Sequence, residues 1–337
     1  MTGYCRLELS SPFFLAPLAG FTDAGFRALA LASGAALVFT EMVSAKGMMY
    51  GSPGTDALLY TEDGTAPLTA VQLFGSDPEA MFKAASDPRL APFPFIDINM
   101  GCPVKKVFSS GDGSAVMRSP SLVEELVRAA KEGSGKPVTV KIRAGIIPGT
   151  PLAAGCARAA ERAGASAVTV HPRYREQMYG GEADHSLTAA VKDAVGIPVT
   201  ASGDITDADS YLAVREQSRA DAFMIGRGAL GRPWIFAALK ETESLRAAGE
   251  RDARVFREVF AKHSNGFDAL DAVKRHLSVL EKILPPRAAA NSMKLHVCRY
   301  AAGLPCAKKV RTEVVSALAP GDILAVAEKY FGGSEGC

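Results

Sequence analysis

PVTVKIRAGIIPGTPLAAGCARAAERAGASAVTVH, residues 137–171, decides the fold. It holds two short apolar runs, 138–142 and 167–171, around an Ala-rich, helix-like stretch that carries Cys156. Both runs are too short for a helix, continuous rather than alternating, and rich in Val. Strands buried on both faces of a parallel sheet read this way. Six more runs of the same kind occur at 13–19, 37–42, 68–74, 95–100, 197–201 and 222–225. Most are separated by helical patterns with start signals at Thr22-Asp23, Ser76-Asp77-Pro78, Ser119-Pro120, Ser186 and Thr206-Asp207. Eight strand–helix units in about 230 residues predict an α/β fold, a (β/α)8 TIM barrel. An open doubly wound sheet is the structural alternative.

After Trp234 the strand signals stop. Helical patterns follow at 254–263, 268–283, 288–300, 306–317 and 322–330, broken by Pro285-Pro286, Gly303-Leu304-Pro305 and Pro320-Gly321. The expected organisation is a barrel over 1–240 and a smaller all-helical C-terminal domain over 241–337.

Composition narrows the class. Of 337 residues 48% are hydrophobic and the net charge is +2, which excludes a disordered chain. No run of about 18 apolar residues is present, so no membrane span is expected. The start, MTGYCRLELS, lacks the charged and apolar regions of a signal peptide. Cysteines at 5, 102, 156, 298, 306 and 337 are scattered without a CxxC pair, which points to neither a metal site nor a disulfide framework. A cytoplasmic protein with reduced thiols is expected. The charge is unevenly spread: residues 1–240 carry 23 basic and 24 acidic side chains, whereas 272–312 carries nine basic residues against Glu281 alone. A basic helical arm on a neutral barrel suits a phosphate-rich partner.

In a barrel the chemistry sits at the C-terminal ends of the strands. There the runs deliver Pro17-Leu18-Ala19, Glu41-Met42, Gln72, Asn99 to Pro103, Lys141 and Arg143, His171 and Arg173, Ser202-Gly203-Asp204, and Gly226-Arg227-Gly228. Charged side chains are rarely buried, so packing alone does not explain a ring of them. Gly203, Gly226 and Gly228 allow close backbone approach, with a helix able to start after each loop. With Arg227 they predict a phosphate site after strands 7 and 8. Lys141 beside Gln72 suits a flavin ring, the cation near the N1/O2 side, while a Schiff-base lysine is the alternative. Cys102 follows a strand end between Gly101 and Pro103. A thiol with a reference pKa of about 8.5 is largely protonated near neutral pH and can serve as a general acid.

These motifs resemble the bacterial tRNA-dihydrouridine synthases, most closely the B subgroup. The resemblance rests on APLAGFTDAGFR (16–27), FTEMVSA (39–45), VQLFGSDPE (71–79), DINMGCPVKKVFSSGDGSAVMRSP (97–120), PVTVKIRAG (137–145), VHPRYREQMYGGEAD (170–184), ASGDITD (201–207) and MIGRGALGRPWIF (224–236). The tail MKLHVCRYAAGLPCAKKVR (293–311) is similar to the family's tRNA-binding helical domain more loosely. The resemblance implies FMN held by Pro17, Leu18, Ala19, Gln72, Lys141, His171, Ser202, Gly203, Asp204, Gly226 and Arg227. It implies NADPH as reductant, a D-loop uridine of tRNA as substrate, and Cys102 as proton donor. Asn99, Lys141, Arg143, His171 and Arg173 would contact the uracil, with cationic Lys141, Arg143 or His171 stabilising developing charge. Lys308, Lys309 and Arg311 would contact the RNA. Three positions depart from the family pattern: Pro172 stands for a Gly, Ser202 for an Asn and Leu18 for a Met. An FMN barrel acting on a free pyrimidine and a non-catalytic RNA-binding protein are the competing readings.

Overall fold

A computed structural model describes residues 3–52 and 54–332. Cys337 and the outer ends of the two expected domain ranges lie outside the described residues. Eight parallel strands form one sheet in the order β1-β8-β7-β6-β5-β4-β3-β2. They are β1 (Phe13–Leu15), β2 (Val38–Ser44), β3 (Thr69–Phe74), β4 (Ile96–Met100), β5 (Val138–Gly145), β6 (Ala167–Tyr174), β7 (Val199–Ser202) and β8 (Ala222–Ile225). The β1 and β2 edges meet through Leu15 N–H to the Leu37 carbonyl and Ala36 N–H to the Phe13 carbonyl, both 2.9 Å. The sheet thus curls into a TIM barrel, with helices between the strands.

Strand ends differ from the sequence expectation where the local chemistry differs. β1 stops at Leu15 because Pro17 has no N–H for the ladder. β5 and β6 run past the expected 142 and 171, because Arg143 pairs with His171 and, beyond a bulge, Gly145 pairs with Tyr174. Pro172 therefore lies inside β6.

The continuous apolar runs conceal an alternation. In β4 and β5, Ile96, Ile98, Val138, Val140 and Ile142 face the helices, in one shared core. Asp97, Asn99, Thr139 and Lys141 take the other parity and face the barrel interior, as Gln72 does between Val71 and Leu73. The bottom of the barrel is filled by apolar side chains. Tyr4 packs edge-on against Phe14 and Phe95 and its hydroxyl reaches Thr200 Oγ1 at 3.3 Å.

The expected division at 240/241 falls inside the helix Ile235–Ala247. The next helix, Ala253–Asn265, places Phe256, Val259 and Phe260 in the same core as Phe13, Tyr211 and Phe236 of the barrel. A separate core begins with Ala269–Ile283 and continues through Pro286–Tyr300, Ala307–Ser316 and Pro320–Phe331. It docks on the first barrel helix, Ala24–Ala32, at close range: a Cβ on Gly25 would lie 2.2 Å from His276 Cδ2. Asp23 caps that helix, and its carboxylate receives Phe26 N–H at 3.0 Å and faces His276 Nε2 at 2.7 Å and His296 Nε2 at 3.7 Å. Both imidazoles are fully buried. Among the described residues their Nδ1 atoms have no hydrogen-bond partner, whereas histidines on a metal are usually oriented by such outer hydrogen bonds. It reads as a polar clasp between the barrel and the helical tail.

Burial makes the fold acid-sensitive. Burial, reinforced by neighbouring His276, pushes His296 down to about 3, and burial also lowers His185. In the unfolded chain both take up protons near 6.5. Their contribution to stability is therefore complete above pH 6.5 and is lost as pH falls below it. The cost is at most about 1.4 kcal/mol per group and pH unit. Urea unfolding midpoints are expected to drop between pH 7 and pH 5.5. A flat profile over that range would contradict buried, neutral histidines.

Candidate active site

The strand ends open on a cavity of about 600 Å³. Its wall takes in Pro17, Leu18 and Ala19 from the loop after β1, Gln72 of β3, Asn99 of β4 and Cys102 beyond it. Lys141, Arg143 and His171 enter from β5 and β6, and Ser202, Gly203, Asp204, Gly226 and Arg227 from the last two strands and their loops. Residues as far apart in sequence as Pro17 and Arg227 thus meet, because parallel strands deliver the same height of each unit to one rim.

Cys102 is half-buried on a tightly held turn. Its N–H and that of Gly101 donate to Asn99 Oδ1 at 2.9 and 3.1 Å. Its carbonyl accepts from Ser114 N–H and Oγ at 3.1 and 2.9 Å. Gly113, at φ +60°, closes the turn: a Cβ there would sit 3.0 Å from Cys102 Cβ. Burial raises the thiol pKa, against smaller opposing effects from the Val104 N–H, Arg143 and Lys141. The sulfur is thus held as S–H, the form of a proton donor.

The cations divide by partner. The Lys141 ammonium has no protein hydrogen-bond or ion-pair partner among the described residues, and burial with nearby Arg143 lowers its pKa to about 8. Arg143 is committed: Nε donates to the Gly101 carbonyl at 2.8 Å and Nη1 to those of Tyr174 and Met178 at 3.1 and 2.8 Å. It ties the Cys102 turn to the loop after β6. His171 departs from the expected cationic role. Burial and the positive charges of Lys141, Arg143, Arg173 and Arg227 push its pKa well below 6.5, so it is a neutral ring. Its buried Nε2 has no hydrogen-bond partner among the described residues. An unpaired buried nitrogen on a cavity wall is costly unless a ligand satisfies it.

Arg173 also departs from expectation. It does not line the cavity but lies beneath the rim at 2% exposure. It donates to the Gly180 and Gly181 carbonyls at 3.1 and 2.6 Å and to Asp204 Oδ2 at 2.7 Å. Asp204, at φ +56°, also accepts Ala183 N–H at 2.8 Å and faces Arg227 at 3.3 Å. Burial would raise its pKa, but the Arg173 and Ala183 hydrogen bonds outweigh this and lower it. The carboxylate braces the loop rather than receiving an anion.

The loop pair after β7 and β8 has the close approach read from its glycines, chiefly at Gly228, where a Cβ would sit 2.1 Å from the Ile205 carbonyl oxygen. A Cβ on Gly226 would meet only ordinary contacts. The helix expected directly after β8 is instead the 3-10 turn Arg227–Ala229, and the α-helix starts at Ile235.

Two wall residues have no signal in the barrel repeat. Arg232 donates to the Thr206 carbonyl at 2.8 Å. Arg299 comes from the helical tail and lies over the Phe21 ring, 5.8 Å from its centre. The approach that puts it there is again a glycine contact: a Cβ on Gly231 would be 2.4 Å from the Arg299 carbonyl. Lys308, Lys309 and Arg311 are exposed on Ala307–Ser316 and form no ion pair with a described residue. Within the basic segment Lys274, Arg275 and Lys282 are paired, with Glu328, Asp271 and Glu62.

Residues 14–331 match the model of the family described as dihydrouridine synthase. The chain belongs to the dihydrouridine synthase family. Among curated relatives of this dihydrouridine synthase family member, tRNA-dihydrouridine synthase B of Pasteurella multocida is 35% identical over 297 residues, 88% of this chain and 86% of that protein. The protein of that name from Pseudomonas putida is 40% identical over 245 residues, 73% and 72% of the two chains. A probable tRNA-dihydrouridine synthase of Rickettsia bellii is 36% identical over 309 residues, 92% and 91%. The solved structure of histamine dehydrogenase from Rhizobium sp. 4-9 is similar with a TM-score of 0.50 at 16% identity. It covers 71% of this chain and 47% of the other, and shares the fold alone. No described helix is long and apolar enough to cross a membrane.

Proposed function

We propose that the chain is an FMN-dependent tRNA-dihydrouridine synthase. It reduces the C5=C6 bond of a D-loop uridine in tRNA, with NADPH as reductant, in the cytoplasm where both are found. One observation carries this reading: a protonated thiol stands at a cavity whose Lys141 ammonium and His171 nitrogen lack partners among the described residues.

The residues present suit FMN. Lys141 would lie at the N1/O2 side of the ring. Gln72 would face the pyrimidine edge with the hydrogen-bonding capacity that Asp97 and Asn99 leave free. The Ser202–Asp204 and Gly226–Gly228 backbones, with Arg227, would hold the phosphate. When bound and reduced, FMN supplies a hydride to C6 of the uracil. The C5=C6 electron pair then spreads toward O4, and Lys141 offsets this charge while His171, as a neutral ring, donates an N–H. Cys102 transfers its S–H proton to C5 and is reprotonated from solvent, so that two hydrogens are added in all. Arg143 and Arg173 position the Cys102 turn and the phosphate loop.

The test is to incubate the protein with FMN, NADPH and unmodified tRNA and read the product by mass spectrometry. A gain of two hydrogens on a D-loop uridine is expected, and none on free uracil or dihydroorotate. A colourless protein that takes up no FMN would overturn the reading. Reduction of the free pyrimidines alone would favour the small-substrate alternative. Gly228→Ala is expected to part the two phosphate loops and weaken FMN uptake at least tenfold, as titrated by flavin fluorescence; wild-type affinity would remove Gly228 from the cradle. Replacing Lys308, Lys309 and Arg311 together by Gln is expected to make the plot of log binding constant for tRNA against log salt shallower by about 2. An unchanged slope would remove this helix from the interface.

A further inference from the structure

Beneath the cavity a carboxylate is buried that the proposed chemistry does not use. Asp97 has no solvent exposure. Its Oδ1 accepts the Thr139 hydroxyl at 2.5 Å and its Oδ2 accepts Gln72 Nε2 at 2.7 Å. Gln72 Oε1 in turn accepts Asn99 Nδ2 at 2.9 Å. Asn99 Oδ1 then accepts the N–H groups of Gly101 and Cys102. The chain of hydrogen bonds runs without a break from β4 through β3, back to β4, and into the turn that carries the thiol.

A side-chain amide can face either way, so its direction must come from its neighbours. Here both ends of the chain are unambiguous. Burial raises the Asp97 pKa to about 6, so above that pH it is an ionised carboxylate that only accepts, and backbone N–H groups only donate. Between them Gln72 must turn its nitrogen to Asp97, and Asn99 must turn its oxygen to Cys102. Buried networks of this kind are stable only when every member is satisfied.

We propose that Asp97 is a positioning residue, whose carboxylate sets the hydrogen-bond direction through Gln72 and Asn99 and so holds the Cys102 turn in place. Its role rests on the proposed reaction only for its effect on turnover; its effect on the thiol is independent of that reaction. The relay also links the residue proposed to face the flavin edge to the proton donor, so one carboxylate orients both.

The direction can be reversed by substitution and therefore tested. In Asn99→Asp, Gln72 stands between two acceptors and has one amide nitrogen to offer, so one bond becomes a repulsion. In Asp97→Asn alone, the new amide can turn either its oxygen or its nitrogen to Gln72, so the direction of the chain is no longer fixed from this end. In the double variant the new amide at position 97 donates to Gln72 Oε1, and Gln72 donates to the new carboxylate at position 99. That carboxylate still accepts both backbone N–H groups. The frustration of the single change is then removed.

All three variants are made in the full chain and loaded with FMN. Two quantities are read: dihydrouridine formed on tRNA, and the rate of Cys102 alkylation by iodoacetamide relative to Cys298, located by peptide mass spectrometry. Asp97→Asn is expected to lose about three- to tenfold in turnover and to shift the alkylation ratio less than Asn99→Asp does, and wild-type values in both would overturn the proposal. Asn99→Asp is expected to lose at least tenfold in turnover and to change the alkylation ratio at least threefold, with the KM for tRNA little altered. The double variant is expected to return both to within about threefold. That non-additivity is the signature of direct coupling. A double variant no better than Asn99→Asp, or one that fails to fold, overturns the proposal, as does an Asn99→Asp protein with normal thiol reactivity. If no variant or wild type forms dihydrouridine but the alkylation ratios follow the expected pattern, the relay stands and the proposed reaction fails.

Discussion

Cys102→Ala will keep its bound flavin and lose turnover by about 10²- to 10⁴-fold, the usual worth of a positioned general acid. The substitution removes one sulfur and leaves the turn intact, because the turn is held by backbone atoms. Asn99 Oδ1 takes the N–H of residue 102, and Ser114 donates twice to its carbonyl. The residues proposed to hold the flavin do not depend on the thiol. Cys102→Ser should recover little, since a hydroxyl is a far weaker acid than a thiol. The assay is single-turnover reduction of tRNA by pre-reduced enzyme, with flavin content read from absorbance. Normal uridine reduction by the Ala variant would refute the assignment. Loss of flavin would mean that the side chain is structural.

Lys141→Met will lower the rate by roughly 10²- to 10³-fold, comparable to removing one preorganised charge from a site where an oxyanion develops. Its head group has no hydrogen-bond or ion-pair partner among the described residues, whereas Arg143 is tied to three carbonyls and His171 is neutral. Methionine keeps the length of the side chain and removes the charge. The pH dependence gives a second reading. Burial and Arg143 place the Lys141 pKa near about 8, so the ammonium is present below that value and lost above it. Activity of the wild type should therefore decline as pH rises through this region, and the Met variant should lack that limb. A Met variant with wild-type rate, or with the same alkaline limb, would assign the charge elsewhere.

Much of this site was legible before the fold. Gln72, Asn99, Lys141 and His171 interrupt apolar strands at matching heights, and the structure brings all four to one cavity. β8 occupies 222–225 as the apolar run indicated, because a short run of large apolar residues has few places to be other than a buried strand. Less legible was anything that depends on which neighbour a polar group finds. Arg173 stands at the same height as the cavity residues, yet it turns to Asp204 beneath the rim. Asp97 lies two residues before Asn99, on the same inward parity, and that spacing could have marked it. Arg299 carried no such mark, because it sits on a tail helix whose approach is fixed by Gly231.

The sequence by itself determined the architecture and most of the polar side chains that reach the cavity. Strand periodicity and the repeat of strand and helix are local properties, and parity alone sends alternate residues inward. Only the tertiary structure decided the state of those side chains. The neutrality of His171 comes from burial and four cations, three of them on other elements. The direction of the Gln72 and Asn99 amides comes from one carboxylate and two backbone N–H groups. The core also groups the helix Ala253–Asn265 with the barrel, although its sequence reads as part of the helical tail. Desolvation and hydrogen bonding act over a few ångströms in space. Many of the deciding partners lie far apart in the chain, as Gln72 and Asp97 do, and a local window of sequence seldom contains both members.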